Sequence, residues 1–279
     1  MRVIDAHHHL WDLEVRDLPW TAELPPLRRS FRLADLEPLA AAAGVSGTIM
    51  VQTMHAAGET PEMLAIADRS DLILGVVGWT DVAAPDFGDR LAALRAGVGG
   101  RRLLGIRHLV QDLPDGSWLT EPATLKGLRH LAAAGLAFDL LVRSDQIPAC
   151  VEVGREVPEL RFVLDHIGKP NIAAGELEPW TSDIRALAAL PNVGCKLSGM
   201  VTEADRERWT VADLRPYAEV VLDAFGPDRV MFGSDWPVST LAADYARVVE
   251  SAHELTAHLT AGEREAVFNG TATRVYNVQ

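Results

Sequence analysis

The sequence predicts a (β/α)₈ barrel. Eight short β-rich runs alternate with helical stretches from one end of the 279 residues to the other. Several runs are almost unbroken apolar strings, as strands buried on both faces of a parallel sheet should be. No Gly-rich phosphate loop follows the first run, where an open doubly wound sheet would carry one; His7-His8-His9 stands there instead.

The strands are expected at residues 2–9, 47–53, 72–79, 103–110, 136–142, 160–166, 193–198 and 229–234. Gly47-Thr48-Ile49-Met50-Val51 and Arg161-Phe162-Val163-Leu164 are the clearest. The intervening helices have readable ends. Residues 33–43 are Ala/Leu-rich and stop at Gly44. Thr60-Pro61 has the form of an N-cap followed by proline at the first helical position. Thr120 and Pro122 open a segment that closes at Gly135, and Thr210 precedes a periodic run ending at Gly226. Thr260-Ala261-Gly262-Glu263 has capping-box spacing. Eight such units average roughly 35 residues each, the size of barrel repeats. No linker or composition shift divides the chain, so residues 1–279 are expected to form one domain. The longest irregular stretch, about residues 10–31, follows the first strand and is expected to form a pocket wall.

Composition narrows the function. The chain is 48% hydrophobic and 23% charged, ordinary for a globular protein with a sizeable core. A formal net charge of −13 argues against nucleic acid or an anionic membrane as partner. Only Cys150 and Cys195 are present, so no disulfide framework is implied. No targeting segment and no membrane-length apolar run is visible, and a cytoplasmic setting is expected. Oligomeric state, including a homo-oligomer, is left open.

Barrel enzymes carry their reactive groups at the C-terminal ends of the strands. The first strand ends Asp5-Ala6-His7-His8-His9. Alternation places Asp5, His7 and His9 on one face, where two imidazoles can converge on one ion or one substrate oxygen. Taken alone, the string reads equally well as a polar strand end. His166 follows the sixth strand and Asp235 the eighth, where an acidic residue could simply cap the next helix. Arg107 and His108 end the fourth strand, Lys196 and Ser198 the seventh, and Gln52 the second. Each observation is weak, but polar groups at most strand ends above apolar interiors are not explained by capping.

Five strings then carry a family resemblance: Ile4-Asp5-Ala6-His7-His8-His9-Leu10-Trp11-Asp12, Gly105-Ile106-Arg107-His108-Leu109-Val110-Gln111-Asp112, Asp165-His166-Ile167-Gly168-Lys169-Pro170, Lys196-Leu197-Ser198-Gly199 and Met231-Phe232-Gly233-Ser234-Asp235-Trp236-Pro237. Their order resembles the amidohydrolase superfamily, within it the amidohydrolase-related branch of sugar-lactone (L-fuconolactone and L-rhamnonolactone type) and muconolactone-type lactonases. The resemblance implies His7 and His9 as the first-strand pair, His166 as the sixth-strand histidine, and Asp235 as the carboxylate handling the proton of the attacking water. Metal-dependent members commonly carry a carboxylated lysine or a glutamate on strand 4 and a histidine on strand 5. This chain has Arg107-His108 and Phe138-Asp139-Leu140 there, so a binuclear centre is not implied.

Two versions of the site stay open: one Zn²⁺ held by His7, His9 and Asp235 with His166 nearby, and a metal-independent site in which the histidines stabilise the oxyanion. Arg107, His108, Lys196, Ser198, Gln52 and Trp236 are the expected substrate contacts. Trp11, Trp20, Trp118 and Trp236 fall in mouth segments, where a sugar-like ring could stack on one. The expected activity is water attack on a small lactone, most simply an aldonolactone. A non-oxidative decarboxylase of the same superfamily is the alternative, and a catalytically dead sugar-acid binder the third reading.

Overall fold

The computed structural model describes residues 2–278. All eight expected strands are present, with ends trimmed. They are β1 (Ile4–His8), β2 (Gly47–Val51), β3 (Ile73–Gly78), β4 (Leu103–Leu109), β5 (Ala137–Leu141), β6 (Arg161–Leu164), β7 (Val193–Leu197) and β8 (Val230–Phe232). They pair in chain order, each parallel to the next. The helices outside them are α1 (Leu33–Ala42), α2 (Glu59–Ala67), α3 (Phe87–Ala96), α4 (Pro122–Ala133), α5 (Ile147–Glu156), α6 (Trp180–Ala188), α7 (Met200–Glu203), α8 (Val211–Phe225), α9 (Tyr245–Leu255), α10 (Ala261–Glu265) and α11 (Thr271–Val275). None is long and apolar enough to cross a membrane.

The apolar strands serve two cores at once. Ile4, Ala6, Ile49, Val51, Val77 and Val163 fill the barrel interior. Met50, Val76, Ile106 and Phe162 point outwards and pack beneath the helices. Tyr276, just beyond α11, belongs to the inner cluster and donates its hydroxyl to Asp139 Oδ2 at 2.8 Å.

The seam between the last strand and the first is closed by the site segment itself. β8 stops at Phe232, and the chain beyond it bonds to β1: Asp235 N donates to His7 O at 2.8 Å, and Trp236 O accepts from His9 N at 2.7 Å.

Two local expectations are corrected. Pairing of β1 with β2 shifts between Asp5 and His8, which face Thr48 and Met50, so three residues of one strand span two of the other. The bulge breaks alternation. Asp5 turns outward, accepting from Tyr245 Oη at 3.0 Å and Ser234 N at 2.7 Å, while His7 and His9 reach the groups of the barrel mouth. Thr60 does not cap α2, which begins one residue earlier; its hydroxyl donates to Trp79 O at 2.9 Å and accepts from Trp79 N at 2.7 Å. The other helix starts hold. Pro122 opens α4, and capping boxes Thr210/Asp213 and Thr260/Glu263 open α8 and α10.

Candidate active site

The site is assembled from strand ends that a barrel brings within a few ångströms of one another. His7 and His9 follow the β1 bulge, with Nε2 atoms 3.2 Å apart. Asp235 Oδ1 lies 3.8 Å from His7 Nε2, 3.4 Å from His9 Nε2 and 3.8 Å from His166 Nε2. The backbone is bent to achieve this. Asp235 has φ 56°, and His166, Ile167 and Lys169 have φ 53°, 49° and 53°. Left-handed non-glycine residues cost on the order of 1–3 kcal/mol each and persist where the surroundings fix them. Here they turn the chain sharply enough to aim His166 back over the mouth.

Neighbours fix each ring. His9 Nδ1 lies 2.7 Å from Val51 O, so it carries the proton and leaves the Nε2 lone pair facing the site. His166 Nδ1 is 3.0 Å from Ser198 Oγ. His7 Nδ1 lies between Lys196 Nζ at 3.2 Å and Asp165 Oδ1 at 3.4 Å. Burial holds the His7 imidazole well below its ordinary pKa, with Lys196 adding to the effect and Asp165 opposing it. Burial lowers His166 to about 4 against the pull of Asp235. Both rings are therefore neutral at neutral pH. Burial works to raise Asp235, but His166 and His9 outweigh it and keep the carboxylate below its usual range.

Under this ring lies a buried ionic layer. Lys196 Nζ contacts Asp139 Oδ2 at 2.5 Å and Asp165 Oδ1 at 2.9 Å, and Arg107 Nη1 contacts Asp165 Oδ2 at 2.9 Å. Arg107 Nη1 also lies 3.3 Å from His7 Nε2. Two acids and two cations balance, which is what lets four charges stay inside a barrel. Burial pushes Asp139 up to about 6, and Lys196 and Tyr276 work against that. Asp165 is buried too, yet Lys196, His7 and Arg107 hold it well below the carboxylate range.

The donor sets allow a test for metal. His7, His9 and Asp235 form one candidate group, and His7, Asp165 and His166 a second. A tetrahedral Zn²⁺ with bonds of ~2.0–2.1 Å sets its ligands roughly 3.3 Å apart. The first group, with edges of 3.2, 3.4 and 3.8 Å, fits that triangle. The second is already neutralised by Arg107 and Lys196, so the residues suit one ion and not two.

The acid and rings open onto a cavity of about 270 Å³ that His9, His166, Asp235 and Arg107 line. Trp20 and Leu24 of the long first loop form part of its wall. A mainly apolar cavity of about 520 Å³ beside that loop, against α2, holds none of the histidines.

The predicted substrate contacts divide. Arg107 reaches the cavity. Lys196 does not; it is fully buried, and its ammonium is spent on Asp139 and Asp165, because a cation inside a barrel must be paired. Ser198 faces His166, not the opening. Gln52 is fully buried and braces Arg107: its carbonyl accepts from Arg107 Nη2, and its side-chain nitrogen reaches Arg107 O at 3.4 Å. His108 follows inward-facing Arg107 and so points the other way, stacked on Trp118 with centroids 3.9 Å apart. Trp236 packs edge-on against Phe31, Trp11 against Trp20 and Phe31, and of the four tryptophans only Trp20 lines the cavity. Sequence reasoning assigned no role to Asp165, Thr53, Lys169, Glu203 or Arg206. Of these, Asp165 had a signal: a second charge beside His166 at the end of a buried strand.

A family model described as Amidohydrolase matches residues 4–278. The chain is 38% identical to an L-fucono-1,5-lactonase of Burkholderia ambifaria over 99% of this chain and 95% of that one. It is 39% identical to an L-fucono-1,5-lactonase of Burkholderia multivorans over 98% and 95%. A crystal structure of an amidohydrolase from Burkholderia multivorans with bound zinc superposes with a TM-score of 0.93, at 38% identity and full coverage of both chains. The barrel, the bulged His-x-His strand, the carboxylate beyond β8 and a match over nearly every residue lead to one conclusion: this chain belongs to the amidohydrolase family.

Proposed function

We propose that the site hydrolyses a small sugar-derived lactone, with Asp235 as general base. The observation that carries this reading is the convergence of Asp235 Oδ1 with the Nε2 atoms of His7, His9 and His166 at a cavity of monosaccharide size. The two lactonase relatives, each matched over nearly the whole chain, support the substrate class.

Opening a lactone needs a deprotonated water, a polarised carbonyl and a proton for the leaving alkoxide. Asp235 is ionised and fixed, so it can take the proton as the water oxygen bonds to the carbonyl carbon. Charge then develops on the carbonyl oxygen. In a metal-free site the donors for that oxygen are Arg107 and the His166 Nε2–H, with Nδ1 of that ring accepting from Ser198, while the His9 Nε2 lone pair can only accept. When a Zn²⁺ is bound by His7, His9 and Asp235, with His166 alongside, it supplies Lewis-acid polarisation and a more acidic water. On collapse the ring C–O bond breaks, Asp235 returns its proton to the alkoxide, and the product leaves as a hydroxy acid. Trp20 offers an apolar face against which one side of a sugar ring stacks.

The test is acid release from a panel of aldonolactones, followed with a pH indicator. Asp235→Asn should lower turnover by about 10²–10⁴, the usual worth of a general base, with the fold intact. The decarboxylase reading has less support, since two relatives matched over nearly the whole chain are L-fucono-1,5-lactonases. Carbon dioxide from an aromatic acid, with no lactone opened, would replace the proposal with that reading. Lactone turnover unchanged in Asp235→Asn would remove Asp235 as the base, and wild type that binds sugar acids but turns over no substrate would be a binder only.

A further inference from the structure

The cavity wall also carries charges that the proposed reaction does not use. Glu203 ends α7 and is partly buried; Lys169 follows the strained His166 turn; Arg206 lies on the rim. All three line the cavity, and among the described residues their side chains make no hydrogen bond or ion pair. Arg107 is already held by Asp165. The cations Lys169 and Arg206 therefore share the cavity lining with the acids Glu203 and Asp112, and these four charges sum to zero, leaving no net charge there for an anionic substrate to seek.

Resting on the lactonase reading, we propose that Glu203 is a specificity-determining residue that accepts hydrogen bonds from ring hydroxyls, selecting neutral polyhydroxylated lactones over carboxylate-bearing ones. An ionised carboxylate is acceptor-only, with two oxygens spaced to take two neighbouring hydroxyl groups. A diol replaces the water around this carboxylate hydrogen bond for hydrogen bond, whereas an apolar or anionic ring displaces that water without replacing its bonds. The placement is built by the fold. Gly199, at φ 64°, turns the chain out of β7 so close to the His166 ring that a Cβ would not fit, and α7 starts from that turn. One tight turn thus sets both the sixth-strand histidine and a carboxylate of the same cavity.

The test compares Glu203→Gln and Glu203→Ala with wild type on a hydroxylated six-membered aldonolactone, on δ-valerolactone and on a carboxylate-bearing lactone. For Glu203→Ala, kcat/KM on the aldonolactone should fall at least tenfold further than on δ-valerolactone, mainly through KM. Glu203→Gln, which keeps one acceptor, should lie between. Both variants should discriminate less against the carboxylate-bearing lactone than wild type does. Equal losses on all three rings would place Glu203 in the chemistry or the fold and overturn the proposal; so would an unchanged aldonolactone KM. Wild type inert on every lactone would instead overturn the lactonase reading and this assignment with it.

Discussion

Removing the ammonium from the middle of the barrel is the most demanding test of how this site is held. Lys196 has no exposed surface, and Nζ sits 2.5 Å from Asp139, 2.9 Å from Asp165 and 3.2 Å from His7 Nδ1. Lys196→Met keeps the length of the side chain and deletes the charge. Two buried carboxylates then share Arg107, which of the two reaches Asp165 alone. Breaking a buried pair by removing one partner costs roughly 3–5 kcal/mol. At about 2–4 °C per kcal/mol for a chain of this size, Tm should fall by about 6–20 °C.

The pH dependence identifies the cause. Asp139 already stands at about 6 with Lys196 present, and losing that cation must raise it further. A carboxyl whose folded pKa lies above its unfolded value binds a proton that the unfolded chain has released. Folded stability therefore falls as pH rises from about 4 towards the raised pKa. The variant should lose more relative to wild type at pH 8 than at pH 5. Lys196→Met/Asp139→Asn removes the stranded charge and should recover at least about 1 kcal/mol of the loss. Urea denaturation of the four proteins at two pH values reads all of this. A single-variant loss below 1 kcal/mol, or a double variant no more stable than the single, would refute the account of a balanced ionic layer.

Three further outcomes follow from the geometry. Gly199→Ala would place a Cβ 2.6 Å from His166 Nδ1 in a left-handed residue, so lactone turnover should drop about a hundredfold with an unaltered circular dichroism spectrum, the scale expected for a misplacement near 1 Å. Metal analysis after incubation with Zn²⁺ and desalting should find one ion per chain in wild type and none in His9→Ala, whereas two ions would contradict the filling of the second donor group by Arg107 and Lys196. His8 is fully buried with neither ring nitrogen bonded among the described residues, and burial lowers it to about 3. Its neutral form is favoured in the folded chain, so the contribution is intact above pH 6.5 and lost below it, about 2 kcal/mol by pH 5. His8→Leu should remove that share of the acid sensitivity in urea melts at pH 8 and pH 5, and an unchanged difference would count against it.

How much of this was legible in the sequence depended on whether the signal was local. The strands were, because a strand buried on both faces needs only an apolar run between turn residues, and Gly47-Thr48-Ile49-Met50-Val51 supplies one. His7, His9, His166 and Asp235 were also legible, since a barrel sends strand ends to a common mouth whatever the loops do. The face of Asp5 was not: strict alternation assigns it to the histidines, and a single bulge reverses that. Lys196 and Asp139 mark the boundary between the two cases. Each is a lone charge in an apolar strand, at Cys195-Lys196-Leu197 and Phe138-Asp139-Leu140, and read separately each looks like a residue bound for solvent or substrate. A charge inside a closed barrel must meet its opposite, so the two together already contained their pairing. Glu203 and Arg206 carried no such constraint. They lie beyond a strand, on a four-residue helix and its exit, where nothing in the local pattern separates a cavity wall from an ordinary charged surface. The groups proposed to react sit where the barrel dictates, and those proposed to choose the substrate sit where only the folded loops decide.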